Sequence, residues 1–281
     1  MSASYQKRRL VNFIAFGLTG GCALLTLGVL FFILGYVTAH GFASLSWSFF
    51  TQLPKPVGDP GGGMANAIAG TLKLIFLAAW IGLPIGVLGG VYLAEFGGNA
   101  FGFFVRYAAD VINGVPSIVM GIFAYAIVVL PMKRFSTLAG GVALGLMLIP
   151  IAVRSTEEFL KLVPRSIRES ALALGIPRWK AILWIVIPAA LRGLLTGVML
   201  DLSRVSGETA PLLFTAFGNR FWSSGWLNPI ASLPVMIFTY AVSPYADWHR
   251  QAWAAALVLL MLVLISNVGA RLLMRKRIRA F

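Results

Sequence analysis

Charge is scarce in this sequence of 281 residues: Asp, Glu, Lys and Arg make up 11% against 59% hydrophobic residues, a balance that excludes an ordinary water-soluble globular protein. The few charges leave long gaps, with none between Arg9 and Lys55, Lys73 and Glu95, Asp110 and Lys133, Arg134 and Arg154, or Arg250 and Arg271. Each gap is long enough to cross a bilayer as a helix, which takes about 20 apolar residues. Cysteine occurs once, as Cys22 inside the first gap, which excludes an intrachain disulfide and leaves the thiol to pack as a small hydrophobe. The two histidines, His40 and His249, belong to no HExxH run and no Cys/His cluster, so a zinc site is not expected. No lysine follows a glycine; the GxxxxGK[ST] phosphate loop is therefore missing, and the chain is not a self-contained ATPase.

What is present is an ordered set of apolar runs. Spans are expected near 11–37, 67–93, 107–130, 136–153, 181–206 and 252–274, which makes the chain an all-α integral membrane protein. The first run is about twice the length of a signal-peptide core and reads as a retained helix. An even number of spans puts both termini on one side. Lys7, Arg8 and Arg9 at one end and Arg271, Arg275, Lys276, Arg277 and Arg279 at the other make that side cytoplasmic by the positive-inside rule. Arg106 and the loop from Arg154 to Lys180 bring fifteen of the 23 basic residues to the same side. The net charge of +14 therefore needs no nucleic acid to explain it.

Glycines spaced four apart, at Gly17 and Gly21, Gly82 and Gly86, Gly141 and Gly145, and Gly193 and Gly197, predict close helix packing in lipid. The segment from His40 to Gly63 carries Trp47, Phe49 and Phe50 and ends in Gly58-Asp59-Pro60-Gly61-Gly62-Gly63, a flexible lead into the second span. The uncharged run Ile230 to Ser243, with Pro234 and Pro244, is too short to span comfortably and reads as a folded-back element at the outer mouth.

Two regions carry the chemistry. Ser166-Ile167-Arg168-Glu169 has the form of a capping box, and it predicts a helix over about 166–174 that Gly175 ends in a left-handed cap before Pro177 opens the next helix. Ile167, Ala171 and Leu174 form one apolar stripe, leaving Arg165, Arg168 and Glu169 to water or a partner; a helix lying on the membrane interface fits the same spacing. The fifth span alone is charged along its length, with Arg192, Asp201 and Arg204, and Glu208 just beyond. Helical geometry places Asp201, Arg204 and Glu208 on one face toward the outer half. Such intramembrane charges suit either a substrate path, in which the fork of Arg204 meets an oxyanion and the carboxylates permit its release, or an ion pair between helices.

Glu169-Ser170-Ala171, then Gly175, then Ile187-Pro188 resembles the EAA loop of ABC-importer permeases, with Ser170 in place of the usual alanine. Arg154-Ser155-Thr156-Glu157-Glu158, Asn113-Gly114-Val115-Pro116-Ser117-Ile118-Val119 and Ser206-Gly207-Glu208-Thr209-Ala210-Pro211-Leu212-Leu213-Phe214-Thr215 narrow the resemblance to the PstA family of phosphate-importer permeases. The resemblance implies a MetI-like fold of six transmembrane helices: an arm, first helix and outside loop over 1–65, a permease core over 66–274 and a basic cytoplasmic tail over 275–281. It makes the helix near 166–174 a coupling helix, in which Arg165, Arg168, Glu169, Ser170, Ala171 and Gly175 meet a separate ATPase, and it places Arg204, Glu208 and Asp201 in the path of inorganic phosphate. It implies as partners a PstC-like permease, a PstB-like ATPase dimer that uses ATP and Mg, and an extracytoplasmic PstS-like binding protein contacting Trp47 and Trp222 to Trp226. The setting would be a bacterial or archaeal plasma membrane, and this chain would hold no cofactor and no metal. A permease for another oxyanion, a channel, and more distantly a membrane enzyme using carboxylates and arginines are the competing readings.

Overall fold

The computed structural model describes residues 3–56, 59, 61–223 and 225–277, the side chains of 3, 4, 6 and 273–277 excepted; Gly58, Pro60, Ser224 and the side chains of the basic tail from Arg275 onward lie outside the described residues. The elements are α1 (Ala3–Ser44), α2 (Trp47–Thr51), α3 (Ala65–Phe96), α4 (Ala100–Gly114), α5 (Ser117–Met132), α6 (Thr137–Lys161), α7 (Arg165–Ala173), α8 (Arg178–Ser206), α9 (Ala210–Thr215), α10 (Leu233–Ala241) and α11 (Ala246–Arg277). Among the described residues the only strand-like pairing is an isolated bridge between Phe217 and Ile230.

Five helices are long and apolar enough to cross a membrane, and the pair α4 and α5 makes a sixth if counted as one span. That pair corrects the straight span expected over 107–130, because its two halves meet at 102°. The cause lies in Asn113-Gly114-Val115-Pro116. The residue before a proline is pushed out of the helical region, and Val115 has ψ 130. Two further prolines leave a milder mark. The turns Tyr125–Val129 and Ile182–Val186 are π-helical, and each stands just before a proline, Pro131 and Pro188. A wider turn absorbs the clash between the proline ring and the carbonyl four residues back.

The centre of the fold is the pair α3 and α6, which run side by side. A Cβ added at Gly82, Gly86 or Gly90 would come within 2.8, 2.5 and 2.5 Å of the Cβ atoms of Leu148, Ala152 and Thr156, and one at Gly141 within 2.5 Å of the Leu77 Cβ. The backbones therefore touch where only glycine fits, as the small-residue spacing predicts. Gly193 and Gly197 do the same for α8, which lies against the ring of Phe159. Gly17 and Gly21 differ: nothing lies within 4 Å of either, so this pair packs no helix of the chain.

Residues 7–33 of α1 are exposed on every side. The helix joins the bundle only toward its end, where Tyr36 meets Trp253 edge-on with ring centres 5.2 Å apart and Gly41 makes room for Leu257. The run Ile230 to Ser243 is folded back: Leu233, Pro234, Val235, Met236 and Tyr240 are buried, and α10 packs between α3 and α11. The Thr71 hydroxyl accepts from the Leu233 amide at 2.8 Å, and Gly70 admits the Ala231 carbonyl.

Candidate functional sites at the two ends of a charged path

The basic end of the bundle is organised by helix termini. The four last carbonyls of any helix lack internal partners and carry partial negative charge, which draws cations. At the end of α3, Arg106 of α4 donates to the carbonyls of Gly97 (2.8 Å) and Leu93 (3.0 Å), and its Nε reaches Glu157 at 2.6 Å. Glu157, only 1% exposed, also takes Arg154 (3.2 Å) and Lys161 (2.5 Å). Arg154 extends the chain of ion pairs to Asp110 at 2.9 Å. Three cations on one buried carboxylate thus fasten the bent element α4 to α6. In the sequence Arg154 to Glu158 stand out only as part of a motif, and the hub is hidden because its links to α4, Arg106 to Glu157 and Arg154 to Asp110, span 51 and 44 residues.

Helix α7 begins at Arg165, with Pro164 as its cap residue and no side-chain cap bond. Ser166 therefore lies inside the helix, and the expected capping box is not made. Pro164 already has the extended conformation that starts a helix, two residues earlier than the serine. The other end follows expectation. Gly175 has φ +78, its amide donates to the Leu172 carbonyl (2.9 Å), and the Ile176 amide donates to that of Ala171 (3.2 Å). Pro177 caps the following helix rather than standing within its first turn.

Of the apolar stripe, Ala171 is buried and Ile167 packs partly against the core, but Leu174 is 80% exposed. Arg165, Glu169, Ser170 and Gly175 face outward. Arg168, expected to be open to water or a partner, is turned inward. Its guanidinium bridges Glu95 (2.7 and 2.9 Å) and the carbonyls of Leu160 (2.8 Å) and Val163 (2.6 Å).

Asp201 and Arg204 stand three residues apart on the regular helix of α8, near enough for their charges to interact as helical spacing predicts, but their side chains meet different surroundings. Asp201 is 6% exposed and points at α6, where the Ser155 hydroxyl donates to it at 2.6 Å. Ser155 stands six residues before the Lys161 end of α6, about 9 Å along the axis. Asp201 is therefore nearer the basic end than expected, because α8 crosses α6 through Gly193 and Gly197. Arg204 is exposed and Glu208 half-buried, and among the described residues neither side chain makes a salt bridge or a hydrogen bond. Arg192 is exposed as well.

Helix α8 ends at Ser206, where the Gly207 amide donates to the Arg204 carbonyl at 3.3 Å, and the chain resumes as α9 at Ala210. Glu208 thus sits in a helix break. Thr215 at the end of α9 accepts from the amide of Ser136, beside the start of α6 at the opposite end of the bundle. Neighbouring helices hold the break: Ser203 accepts from Asn267 of α11 at 2.6 Å, and Gly121 of α5 lies against Pro211. Broken helices at membrane depth are tolerated where they line a cavity or a protein interface. No group of three His, Cys, Asp or Glu side chains that could hold a metal occurs among the described residues.

Comparison with known proteins gives a consistent result. The family model of the "Binding-protein-dependent transport system inner membrane component" matches residues 82–279. A phosphate transport system permease protein PstA of Yersinia pestis is 45% identical over 271 residues, covering 96% of this chain and 92% of that protein. A probable phosphate transport system permease protein PstA of Methanocaldococcus jannaschii is 35% identical, covering 93% of each. Among solved structures, an inward-facing MetNI methionine ABC transporter superposes with a TM-score of 0.59 at 20% identity, over 76% of this chain and 94% of that one, which speaks for the fold.

Proposed function

The chain belongs to the binding-protein-dependent transport system inner membrane component family, and from that membership we propose that it is the permease subunit of an ATP-driven importer of inorganic phosphate. The PstA relatives support the substrate over more than nine-tenths of the chain. The observation that carries the site is the open Arg204 beside the break that holds Glu208. An unpaired guanidinium in a membrane span is costly, and a water-lined path or a second subunit is what offsets such a cost. In a path, its planar fork matches two oxygens of a tetrahedral anion, and Glu208 accepts the proton of hydrogen phosphate, a proton that fully ionised sulfate lacks. The carboxylate also keeps the site from binding too tightly for release.

On this reading the basic end is cytoplasmic. The outward face of α7, with Arg165, Glu169, Ser170 and Gly175, meets a PstB-like ATPase that binds the ATP and Mg. A PstC-like permease covers the Arg204 face, and a PstS-like binding protein delivers phosphate to the opposite end. Alternating access follows from differential contacts made at α7.

The test is uptake of labelled phosphate at low external concentration by cells lacking this chain, complemented with wild type or Arg204→Ala at matched surface abundance. Restoration by wild type alone supports the reading. Restoration by both makes Arg204 structural, and restoration by neither moves the search to another oxyanion.

A further inference from the structure

Glu95 is the last acidic residue of α3, and two different bonds converge on it. Arg168 of α7 takes both oxygens of its carboxylate, which is 5% exposed. Arg178, the first residue of α8, donates to its main-chain carbonyl and lays its guanidinium over the neighbouring Phe96 ring, 4.4 Å from the centroid. The segment 165–178 is thus pinned at both flanks to one residue of α3, while its middle, with Glu169, Ser170, Leu172, Leu174 and Gly175, projects free of the bundle.

Little else holds it. A nine-residue helix is too short to persist alone in water. Its apolar contact with the bundle amounts to Ala171 and part of Ile167. Arg168 supplies what these lack, since one rigid fork ties α7 to the Glu95 side chain of α3, to the Leu160 carbonyl of α6 and to that of Val163 just beyond it. Beyond Glu95, α3 lies on α6 through three glycines against which Leu148, Ala152 and Thr156 seat, and α6 carries Ser155, the partner of Asp201 in the charged span. An unbroken series of packed and bonded contacts therefore leads from the projecting segment to the turn before Arg204.

We propose that Glu95 is a positioning residue for energy coupling: with Arg168 and Arg178 it makes the segment 165–178 and the α3–α6 pair move as one body, so that displacement by an ATPase reaches the transport path through Glu95 rather than through the flanking loops. The inference rests on the transporter reading above and adds the residue through which the push passes. Lysine at 168 keeps the charge but loses the fork, and glutamine at 95 keeps the shape but loses the charge.

The experiment uses the complete transporter in proteoliposomes, with labelled inorganic phosphate as the probe and phosphate moved per ATP hydrolysed as the readout. Glu95→Gln and Arg168→Lys are expected to lower that ratio about tenfold while ATP hydrolysis continues. Glu95→Asp, which keeps the charge, is expected to recover part of it. An unchanged ratio, or hydrolysis and transport falling in step, overturns the proposal. A spin-label pair at Ser166 and Leu88, both exposed, reads the same contact whatever the substrate. The distance distribution should be narrow in wild type and broad in Arg168→Gln; equal widths overturn the clamp. If the wild-type complex hydrolyses ATP without moving phosphate, yet Arg168→Gln still broadens the distribution, the substrate is at fault and the clamp stands.

Discussion

Ser155 and Asp201 stand 46 residues apart in the chain and 2.6 Å apart in space, joining α6 to α8 by a hydrogen bond from the serine hydroxyl to the buried Asp201 carboxylate. The bond lies at a crossing where glycines have removed side chains from α8. It holds Asp201 against α6, while Arg204, one turn further along the same helix, stays exposed.

Ser155→Ala leaves a buried carboxylate without its donor, and a loss of about 1–3 kcal/mol in stability is expected. Thermal unfolding in detergent checks it, with Asp201→Asn expected to be the milder change because the amide can still accept from Ser155.

Arg204→Ala and Glu208→Gln should each abolish phosphate uptake while the protein stays in the membrane with its partners. Neither side chain holds up the fold among the described residues. Loss of the subunit from the membrane in both would make the two residues structural.

Glu157→Ala strands Arg106, Arg154 and Lys161 around an empty centre. A destabilisation of about 3–5 kcal/mol is expected, the range for removing one partner of a buried ion pair. It should show as a sharp fall in membrane abundance, with Lys161→Ala nearly harmless because that side chain is half in solvent.

Glu169→Lys and Gly175→Asp are expected to disconnect ATP hydrolysis from transport, the first by reversing a charge on the outward face of α7 and the second by forcing a side chain into a left-handed backbone. Hydrolysis and uptake measured on one preparation check it; normal uptake at normal abundance would remove α7 from the coupling role.

Much of the architecture was legible in the sequence because the signals were local. Charge-free runs marked the spans, Gly175 and its two amide bonds ended α7 as expected, and three of the four glycine pairs pack helices of this chain. The misses share a different cause. Helical spacing set Asp201 beside Arg204 but treated α8 as if it stood alone, and so gave no sign of Ser155 on another helix, which claims the carboxylate. Arg168 was assigned to the outward face for the same reason, its partner Glu95 being 73 residues away. The bend at Pro116 carried a local sign in Val115-Pro116, but hydropathy averages across it. The capping box failed by two positions, since Pro164 offered the backbone a start that needed no side chain.

The bareness of α1 from residue 7 to 33 sets an unusual rule for mutation. Where α3 and α6 meet, a lost methyl group opens a cavity and a gained one collides with a neighbouring helix. Along this stretch of α1 no neighbour within the chain registers size or shape, so Leu24→Ala and Leu24→Phe should fold alike and only polarity should be policed. A single Leu24→Lys would cost about 3 kcal/mol at the centre of the span. The first helix is thus free to drift in spelling while α3 and α6, locked at Gly82, Gly86 and Gly90, can hardly change a letter.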